Sequence, residues 1–283
     1  MSLTASMTRF DGPVPGIPGA EIREVERLPE HLEGATQIGP GFEAMPGLVL
    51  IDVPRVARYL IRDGKSIEVV VAADADRGAA EHFLHGSARG ALIHQRGELP
   101  INGAALITPN WKCVVICGPS TFGKSTLAAE LCRRGWLLVS DDITRVSWNG
   151  TMAVAWPSDK TVKLWRDACE RMGVDPAALR RVRADVEKYH FEVASAAAPA
   201  ALGFVIRLRS EEDLRIEHFV PHAGMTMLSE STFRPRLISP LARRADHDQM
   251  VQRTFRSCRT MGLSGSRRVP VELLADCLAK EVA

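Results

Sequence analysis

One glycine-containing stretch constrains this chain more than any other part of its sequence. Residues 118–125 read GPSTFGKS, which fits the pattern G-x-x-x-x-G-K-[ST] of a phosphate-binding loop. The five residues before it, Cys113–Cys117, are apolar and partly β-branched, which predicts a buried strand. The residues after it, 126–134, are good helix formers that stop at Gly135. The sequence therefore has the strand, loop and helix order that such a phosphate site requires.

This order has a direct chemical consequence. A loop that leads into a helix N-terminus aims several backbone N–H groups at one point, and the helix dipole adds partial positive charge there. We therefore expect the phosphates of a nucleotide to bind at this point, with Lys124 on the β- and γ-phosphates and the Ser125 hydroxyl on Mg²⁺. The predicted nucleotide-binding residues are Gly118, Pro119, Ser120, Thr121, Phe122, Gly123, Lys124, Ser125 and Thr126.

Two adjacent carboxylates follow the next predicted strand. Residues 136–140 (WLLVS) are mainly apolar and lead into Asp141 and Asp142, which begin 16 residues beyond Ser125. In open α/β sheets the ligand lies outside the carboxyl ends of the strands, so both side chains are expected to face the phosphate loop. One strand-end aspartate can hold Mg²⁺, and a second carboxylate can accept a proton from a substrate hydroxyl. An ordinary turn or helix cap is the alternative for an Asp-Asp pair.

Composition narrows the class of protein. The chain has 283 residues and a net charge of only +2, which gives no reason to expect a nucleic acid or a membrane as partner. Its six cysteines form no C-x-x-C pair, a pattern typical of a reduced compartment. The longest nearly apolar run, 194–206, is too short to span a bilayer, and no secretory leader is apparent. These features predict a cytoplasmic protein.

The chain divides into three predicted parts. Residues 1–20 are rich in glycine and proline and are expected to be a flexible N-terminal tail. Residues 21–100 predict a small β-rich unit closed by a helix over 79–95. Residues 101–283 predict the phosphate-loop domain, with a helix over 163–172 and a mainly helical C-terminal part.

Three motifs within residues 84–173, about a third of the chain, carry a resemblance to a known family. The first is a loop of the form G-x-S-x-x-G-K-S-T over 118–126. The second is R-G, a strand and Asp-Asp over 134–142, and the third is P-x-x-x-x-x-K-L-W over 157–165. In these motifs the chain resembles the catalytic domain of HPr kinase/phosphorylase and its shorter relatives, the HPr-kinase-like proteins. Some of those relatives phosphorylate serine on peptides, including tailoring kinases of lasso-peptide clusters.

The resemblance implies a fold and a reaction. The fold would be α/β, with a mixed sheet of the phosphoenolpyruvate carboxykinase type centred on the phosphate loop. The reaction would transfer the γ-phosphoryl group of ATP to a serine hydroxyl, with ATP and Mg²⁺ as cofactors. By position, Lys124 would neutralise the phosphates, Ser125 and Asp142 would hold the metal, and Asp141 would be the base. Candidate phosphate or substrate contacts are Asn102, Lys163, Lys188 and Arg234, and ordinary surface charge is the alternative for the three cationic residues.

The sequence departs from the family pattern at three places. Asn102 stands where the family has a histidine, and an asparagine side chain cannot take up a proton. Thr121 occupies a loop position usually filled by glycine, where a positive φ would strain a β-branched residue. The glycine-rich loop that accompanies phosphorolysis is not found, so dephosphorylation is not expected.

Several alternatives stay open at this point. The first hypothesis is a kinase that acts on a peptide or protein, and a small-molecule acceptor is compatible with the same residues. The departures at Asn102 and Thr121 instead suit a nucleotide-binding regulator that has lost transfer. A carboxykinase-like enzyme is a third alternative, although no metal-binding histidine and lysine pair is evident outside the loop. A homo-oligomer is compatible with the resemblance, since relatives are often hexamers.

Overall fold

Two large β-sheets and a two-stranded ribbon organise the chain. The computed structural model describes residues 10–120, 122–266 and 268–283. Thr121 and residues 1–9 of the predicted tail lie outside these ranges. Helices pack on the sheets, so the fold is mixed α/β, as the sequence predicts.

The first sheet is built from residues 12–71. Its strands are β1 (Gly12–Pro13), β2 (Glu21–Glu24), β3 (Thr36–Gly39), β4 (Phe42–Met45), β5 (Leu48–Val53), β6 (Ala57–Arg62) and β7 (Ser66–Val71). They lie in the order β1-β2-β7-β6-β5-β4-β3, and only the β2–β7 pair is parallel. The turn between β6 and β7 contains Asp63 and Gly64 at φ values of 49° and 66°, the backbone that an Asp-Gly hairpin turn needs.

Residues 12–20, before β2, are packed, which corrects the flexible tail expected over residues 1–20 for that described part. Val14, Ile17 and Ala20 are at most 3 % exposed and belong to the core of the first sheet. The buried guanidinium of Arg145 donates to the carbonyl oxygen of Gly16 at 2.6 Å. Contacts with distant parts of the chain, rather than a local periodicity, therefore hold residues 12–20 in place.

A helical segment closes the first sheet. It consists of α1 (Arg77–Phe83), a π-helical turn (Leu84–Ala88) and α2 (Arg89–Gln95), close to the single helix predicted over 79–95. Leu84, Ala88 and Leu92 are fully buried and pack against the sheet. Ile143 and Leu237, from later in the chain, belong to the same core. The boundary near residue 100 therefore stays a prediction.

His94, on α2, links protonation to folding. Its Nε2–H donates to the carbonyl oxygen of Phe233 at 2.7 Å, and burial lowers the pKa of His94 from 6.5 to about 4. Between those two pKa values the unfolded chain binds a proton that the folded chain does not. The contribution of neutral His94 to the free energy of unfolding is complete above about pH 6.5 and falls as the pH decreases towards about 4.

We predict that His94→Gln reduces this pH dependence. Glutamine can still donate to the Phe233 carbonyl but does not titrate, so the slope of unfolding free energy against pH should decrease by up to about 1.4 kcal/mol per pH unit. Urea unfolding at pH 7, 6 and 5 measures that slope. His222→Gln is the matched control, because His222 is exposed. Equal slopes for wild type and His94→Gln would contradict the prediction.

The second sheet carries the predicted phosphate loop, residues 118–125, which is called the phosphate loop below. Its elements, with the ribbon and the remaining helices, are β8 (Leu99–Ile107), β9 (Cys113–Cys117), α3 (Lys124–Arg133), β10 (Leu137–Ser140), β11 (Ile143–Trp148), β12 (Ala153–Ala155), β13 (Thr161–Trp165), α4 (Arg166–Arg171), β14 (Lys188–Glu192), β15 (Ala200–Arg209), β16 (Arg215–His218), α5 (Pro221–Glu230), α6 (Arg244–Ser257), β17 (Arg259–Ser264) and α7 (Val271–Val282). Short 3₁₀ turns lie at Pro176–Ala178 and Pro235–Leu237. No helix in the described ranges is long and apolar enough to cross a membrane.

Strand β8 sets the positions of the strands whose ends form the candidate site. Its first half pairs with β11, and its second half lies between β9 and β10. On the other side of β9 come β15 and then β17, both parallel to β9. Since β9 and β10 are each antiparallel to β8, the carboxyl ends of β9, β10, β15 and β17 meet at one edge of the sheet, where a ligand is expected to bind.

Two sequence predictions for this part of the chain need correction. The helix predicted over 163–172 begins only at Arg166, because Thr161–Trp165 forms strand β13. This strand pairs with β14, and the two strands together are the ribbon. Val162 and Leu164 are buried on one face of that strand, an alternation that outweighs helix propensity. The C-terminal part contains α5, α6 and α7 as expected, but it also contains the buried strand β17, which was not predicted.

Candidate functional site

The phosphate loop joins β9 to α3. Gly123, at φ 83°, lies directly before the first helical residue, Lys124, in a backbone conformation that glycine adopts without strain. The Lys124 ammonium donates to the carbonyl oxygens of Gly118 and Pro119 at 2.8 and 2.9 Å. Burial lowers the pKa of Lys124 from its ordinary value, and the negative charge of Asp142 opposes this effect. The lysine therefore lies over its own loop, at the N-terminus of α3.

Asp141 is the carboxylate next to this loop. It follows β10 and is 2 % exposed. Its Oδ1 accepts a hydrogen bond from the Ser125 hydroxyl at 3.2 Å, and its Oδ2 accepts one from the backbone N–H of Lys163 at 2.8 Å. Burial, together with the nearby charge of Asp142, raises the pKa of Asp141 to about 6. The site thus contains a serine hydroxyl and a carboxylate side by side.

Asp142 faces two lysines of the ribbon. Its Oδ2 lies 2.9 Å from the Lys163 ammonium, and its Oδ1 lies 3.6 Å from the Lys188 ammonium. Burial acts to raise the pKa of Asp142, but the two ammonium groups outweigh it and hold this pKa below its ordinary value. Asp142 also has a positive φ of 65°, an uncommon conformation that aspartate tolerates better than most residues. Such backbone conformations concentrate at functional sites.

Gly103 brings the aspartate turn close to the phosphate-loop strand. Its backbone N–H donates to the carbonyl oxygen of Asp142 at 3.0 Å. A β-carbon at this position would lie 2.5 Å from the carbonyl oxygen of Ile116 and 3.1 Å from the Cα of Cys117. Because both obstacles are backbone atoms, only glycine allows β8 and β9 to approach this closely. The sequence predicted that the aspartates face the loop because they follow the carboxyl end of a strand. The close approach of β8 to β9 at Gly103 helps to bring them there.

Asp159 is a supporting residue that the sequence alone does not mark. Its Oδ2 accepts the backbone N–H of Asp141 at 3.1 Å and the Ser158 hydroxyl at 2.6 Å. Burial acts to lower the pKa of Lys163, but the charges of Asp142, Asp159 and Asp141 outweigh it and hold that pKa above its ordinary value. Asp159 therefore fixes the backbone of the turn that contains Asp141 and Asp142. Nothing in its sequence context distinguishes it from an ordinary loop residue.

We predict that Asp159→Ala destabilises the fold by about 1–2 kcal/mol, because the Asp141 N–H loses its acceptor. Asp159→Asn keeps an oxygen acceptor and should lose less than about 0.5 kcal/mol. Urea unfolding of both variants at pH 7 measures the difference. Equal stability of the alanine and asparagine variants would show that this hydrogen bond does not hold the turn.

Most of the predicted site residues line one cavity of about 810 Å³, within the range of about 300–1,000 Å³ that is usual for small-molecule sites. Gly118 and Pro119 contribute the carbonyls that contact Lys124, and Thr121 lies outside the described residues. The predicted residues that line the cavity are Asn102, Ser120, Phe122, Gly123, Lys124, Ser125, Thr126, Asp141, Asp142, Lys163 and Lys188.

Arg234 does not belong to this group, which corrects the sequence prediction. Its guanidinium lies 4.4 Å from the ring centroid of Phe42, on the first sheet, and donates to the Ser87 hydroxyl at 2.8 Å. Arg234 has a φ of 47° and directly precedes the 3₁₀ turn Pro235–Leu237. It is not among the residues that line the cavity. Arg234 therefore stabilises the packing between the helical segment and the first sheet.

The donor atoms beside the loop fit a magnesium ion. Mg²⁺ prefers oxygen ligands, commonly uses one or two protein groups, and retains waters or phosphate oxygens for the rest. The Ser125 hydroxyl and the Asp141 carboxylate already lie within hydrogen-bonding distance of each other. In the described part of the chain, no group of three or more His, Cys, Asp or Glu residues is arranged to hold a metal. The oxygen pair therefore suits a metal that takes its remaining ligands from outside the protein.

Comparisons with known proteins add little. No model of a protein family matches the chain, and no curated protein matches it. Among solved structures, the chain is similar to the Hpr(Ser) kinase/phosphatase from Coxiella burnetii, with 12 % identity and a TM-score of 0.35 over 65 % of this chain and 95 % of that chain. A similarity at this TM-score carries no conclusion about fold or function.

Proposed function

We propose that this protein is a phosphotransferase that moves the γ-phosphoryl group of ATP to a hydroxyl group. The observation that carries the proposal is the Ser125–Asp141 hydrogen bond beside Lys124, with Asp142 held by Lys163 and Lys188 in the same cavity. Phosphoryl transfer depends mainly on positioning and charge neutralisation. The cavity contains groups suited to both tasks.

The donor side of the site consists of residues at the start of α3. The backbone N–H groups there and the Lys124 ammonium would bind the β- and γ-phosphates. Ser125 and Asp141 would hold Mg²⁺, whose charge would offset that of the phosphates. This exchanges the roles expected from the sequence, in which Asp141 was the base and Asp142 the metal ligand. The exchange is favoured because Asp141, and not Asp142, contacts Ser125.

The acceptor side of the site is centred on Asp142. Its carboxylate, ionised beside Lys163 and Lys188, can accept a hydrogen bond from an incoming hydroxyl and orient it towards the phosphorus atom. The two ammonium groups lie where negative charge from the transferred phosphoryl group can be shared. A loose transition state requires little proton abstraction, so a carboxylate with a lowered pKa is sufficient.

We propose a peptide or protein serine as the acceptor, on the basis of the motifs shared with HPr-kinase-like proteins. A small-molecule hydroxyl fits the same chemistry. A second candidate function is a nucleotide-binding regulator without transfer, and it is favoured by Asn102, which lines the cavity where the family has a histidine. The two functions predict different outcomes in one experiment.

That experiment is label transfer with the full-length protein. Mg²⁺ and γ-labelled ATP are incubated with the protein, with and without a cell extract that contains peptides, proteins and small molecules, and isothermal titration measures ATP binding in parallel. Acid-stable label on a peptide or protein, lost in Lys124→Ala, is the expected result. Label on a small molecule would identify the other acceptor class. ATP binding without any transfer would favour the regulator, and absence of ATP binding would overturn the proposal.

A further inference from the structure

The cavity extends to both sides of the phosphate loop. On one side, beyond β8, the end of β10 carries Asp141 and Asp142. On the other side, the ends of β15 and β17 lead into loops that also line the cavity. The loop at the end of β9 lies between the two sides. Each side therefore offers a separate wall to a ligand that is held by its phosphates at the centre.

The second wall differs in chemistry from the first. We call it the α7 wall and define it by Phe122, Leu208, Val269, Val271 and Leu274, all of which line the cavity. These five side chains are apolar, and Ser210, Ser266, Arg268 and Glu272 line the cavity beside them, whereas the wall beside β10 carries the two aspartates and two lysines. Leu208 is 2 % exposed, and the other four are partly buried. Four of the five side chains of the α7 wall therefore keep part of their apolar surface exposed beside the cavity.

Leu274 is the residue of the α7 wall whose packing is described most closely by its contacts. A β-carbon on Gly265 would lie 2.9 Å from its Cδ2 atom, so this side chain packs directly against the backbone that follows β17. Leu274 is also in contact with the main core of the second sheet. Its neighbour Leu273 is 48 % exposed and is not among the residues that line the cavity. The two leucines therefore differ in whether they face the cavity.

Reaction geometry decides which part of the substrate meets which wall. In phosphoryl transfer, the attacking and leaving oxygens lie on opposite sides of the phosphorus atom. With the acceptor hydroxyl at Asp142, the nucleoside must extend away from the β10 side. We infer that the α7 wall binds the nucleoside base of the donor through apolar contact. This inference rests on the proposed function and adds where, and by what chemistry, the nucleoside is recognised.

The test compares ATP with inorganic tripolyphosphate, which has the phosphates but no nucleoside. Isothermal titration with Mg²⁺ and the full-length protein gives a Kd for each ligand. Wild type is expected to bind ATP at least about tenfold more tightly than tripolyphosphate. Leu274→Ala should weaken ATP binding about tenfold and leave tripolyphosphate binding unchanged. Leu273→Ala, the matched control, should change neither Kd.

A folding defect is distinguishable from loss of the contact, because a defect would weaken both ligands. If Leu274→Ala unfolds, Val271→Ala on the first turn of α7 is expected to give the same selective loss of ATP affinity. Equal affinity of wild type for ATP and tripolyphosphate would overturn the inference and leave the proposed function intact. Unchanged ATP affinity in folded Leu274→Ala and Val271→Ala would also overturn it. Failure of wild type to bind either ligand would overturn the proposed function as well.

Discussion

Lys124→Ala is expected to raise the Kd for ATP about 100-fold and to abolish measurable transfer. The Lys124 ammonium lies over the loop, 2.8 and 2.9 Å from two of its carbonyl oxygens, at the N-terminus of α3. A charged hydrogen bond to phosphate is worth about 1.5–3 kcal/mol, and charge neutralisation matters more in the transition state than in the ground state. Isothermal titration and label transfer measure the two effects separately.

Lys112→Ala is the control for this change. The Lys112 ammonium contacts the carbonyl oxygen of Ala283 at 2.7 Å, and the residue does not line the cavity. Both the Kd for ATP and the rate of transfer should match those of wild type. Wild-type affinity for ATP in folded Lys124→Ala would show that the loop does not bind the phosphates.

Asp141→Asn is expected to slow transfer about 1,000-fold, or about 4 kcal/mol of barrier, because an amide replaces the charge that we propose to hold Mg²⁺. The same change should stabilise the folded protein by roughly 1–3 kcal/mol at pH 7. Burial raises the pKa of Asp141 to about 6, so its ionised form is less favourable in the folded chain than in the unfolded chain. The amide removes that cost, which applies at pH values above about 4 and is complete above about 6.

Urea unfolding and label transfer of Asp141→Asn measure these opposite effects in one protein. Asp185→Asn is the matched control, because the Asp185 side chain is 69 % exposed and lies outside the cavity. A loss of both stability and transfer would indicate that Asp141 is mainly structural. Full transfer activity would exclude it from the metal site.

Local patterns predicted the part of the site that lies close together in the sequence. The strand Cys113–Cys117 and the helix Lys124–Arg133 appear where the motif requires them, because an apolar β-branched run and a run of helix-forming residues are local features of the sequence. The aspartates could be placed beside the loop from the general geometry of α/β sheets. Their separate surroundings could not be predicted, since they depend on which groups of the ribbon each aspartate meets.

Long-range packing explains the residues that the sequence missed or misplaced. Lys163 faces Asp142 because β13 is a strand and not the predicted helix. Asp159 contacts Asp141 across 18 residues, with no motif to mark it. Arg234 is positively charged like Lys163 and Lys188, but its side chain contacts the first sheet and the helical segment instead of the cavity. A residue type can suggest chemistry, but only tertiary structure determines what its side chain meets.

The division of roles between Asp141 and Asp142 is tested most directly by the Mg²⁺ dependence of ATP binding. The Kd for ATP is measured with Mg²⁺ and with a chelator for wild type, Asp141→Asn and Asp142→Asn. We predict that Mg²⁺ strengthens ATP binding to wild type and Asp142→Asn alike, and that Asp141→Asn loses this enhancement. Asp142→Asn should nevertheless fail to transfer label. Loss of the Mg²⁺ enhancement in Asp142→Asn, with retention in Asp141→Asn, would contradict the proposed site.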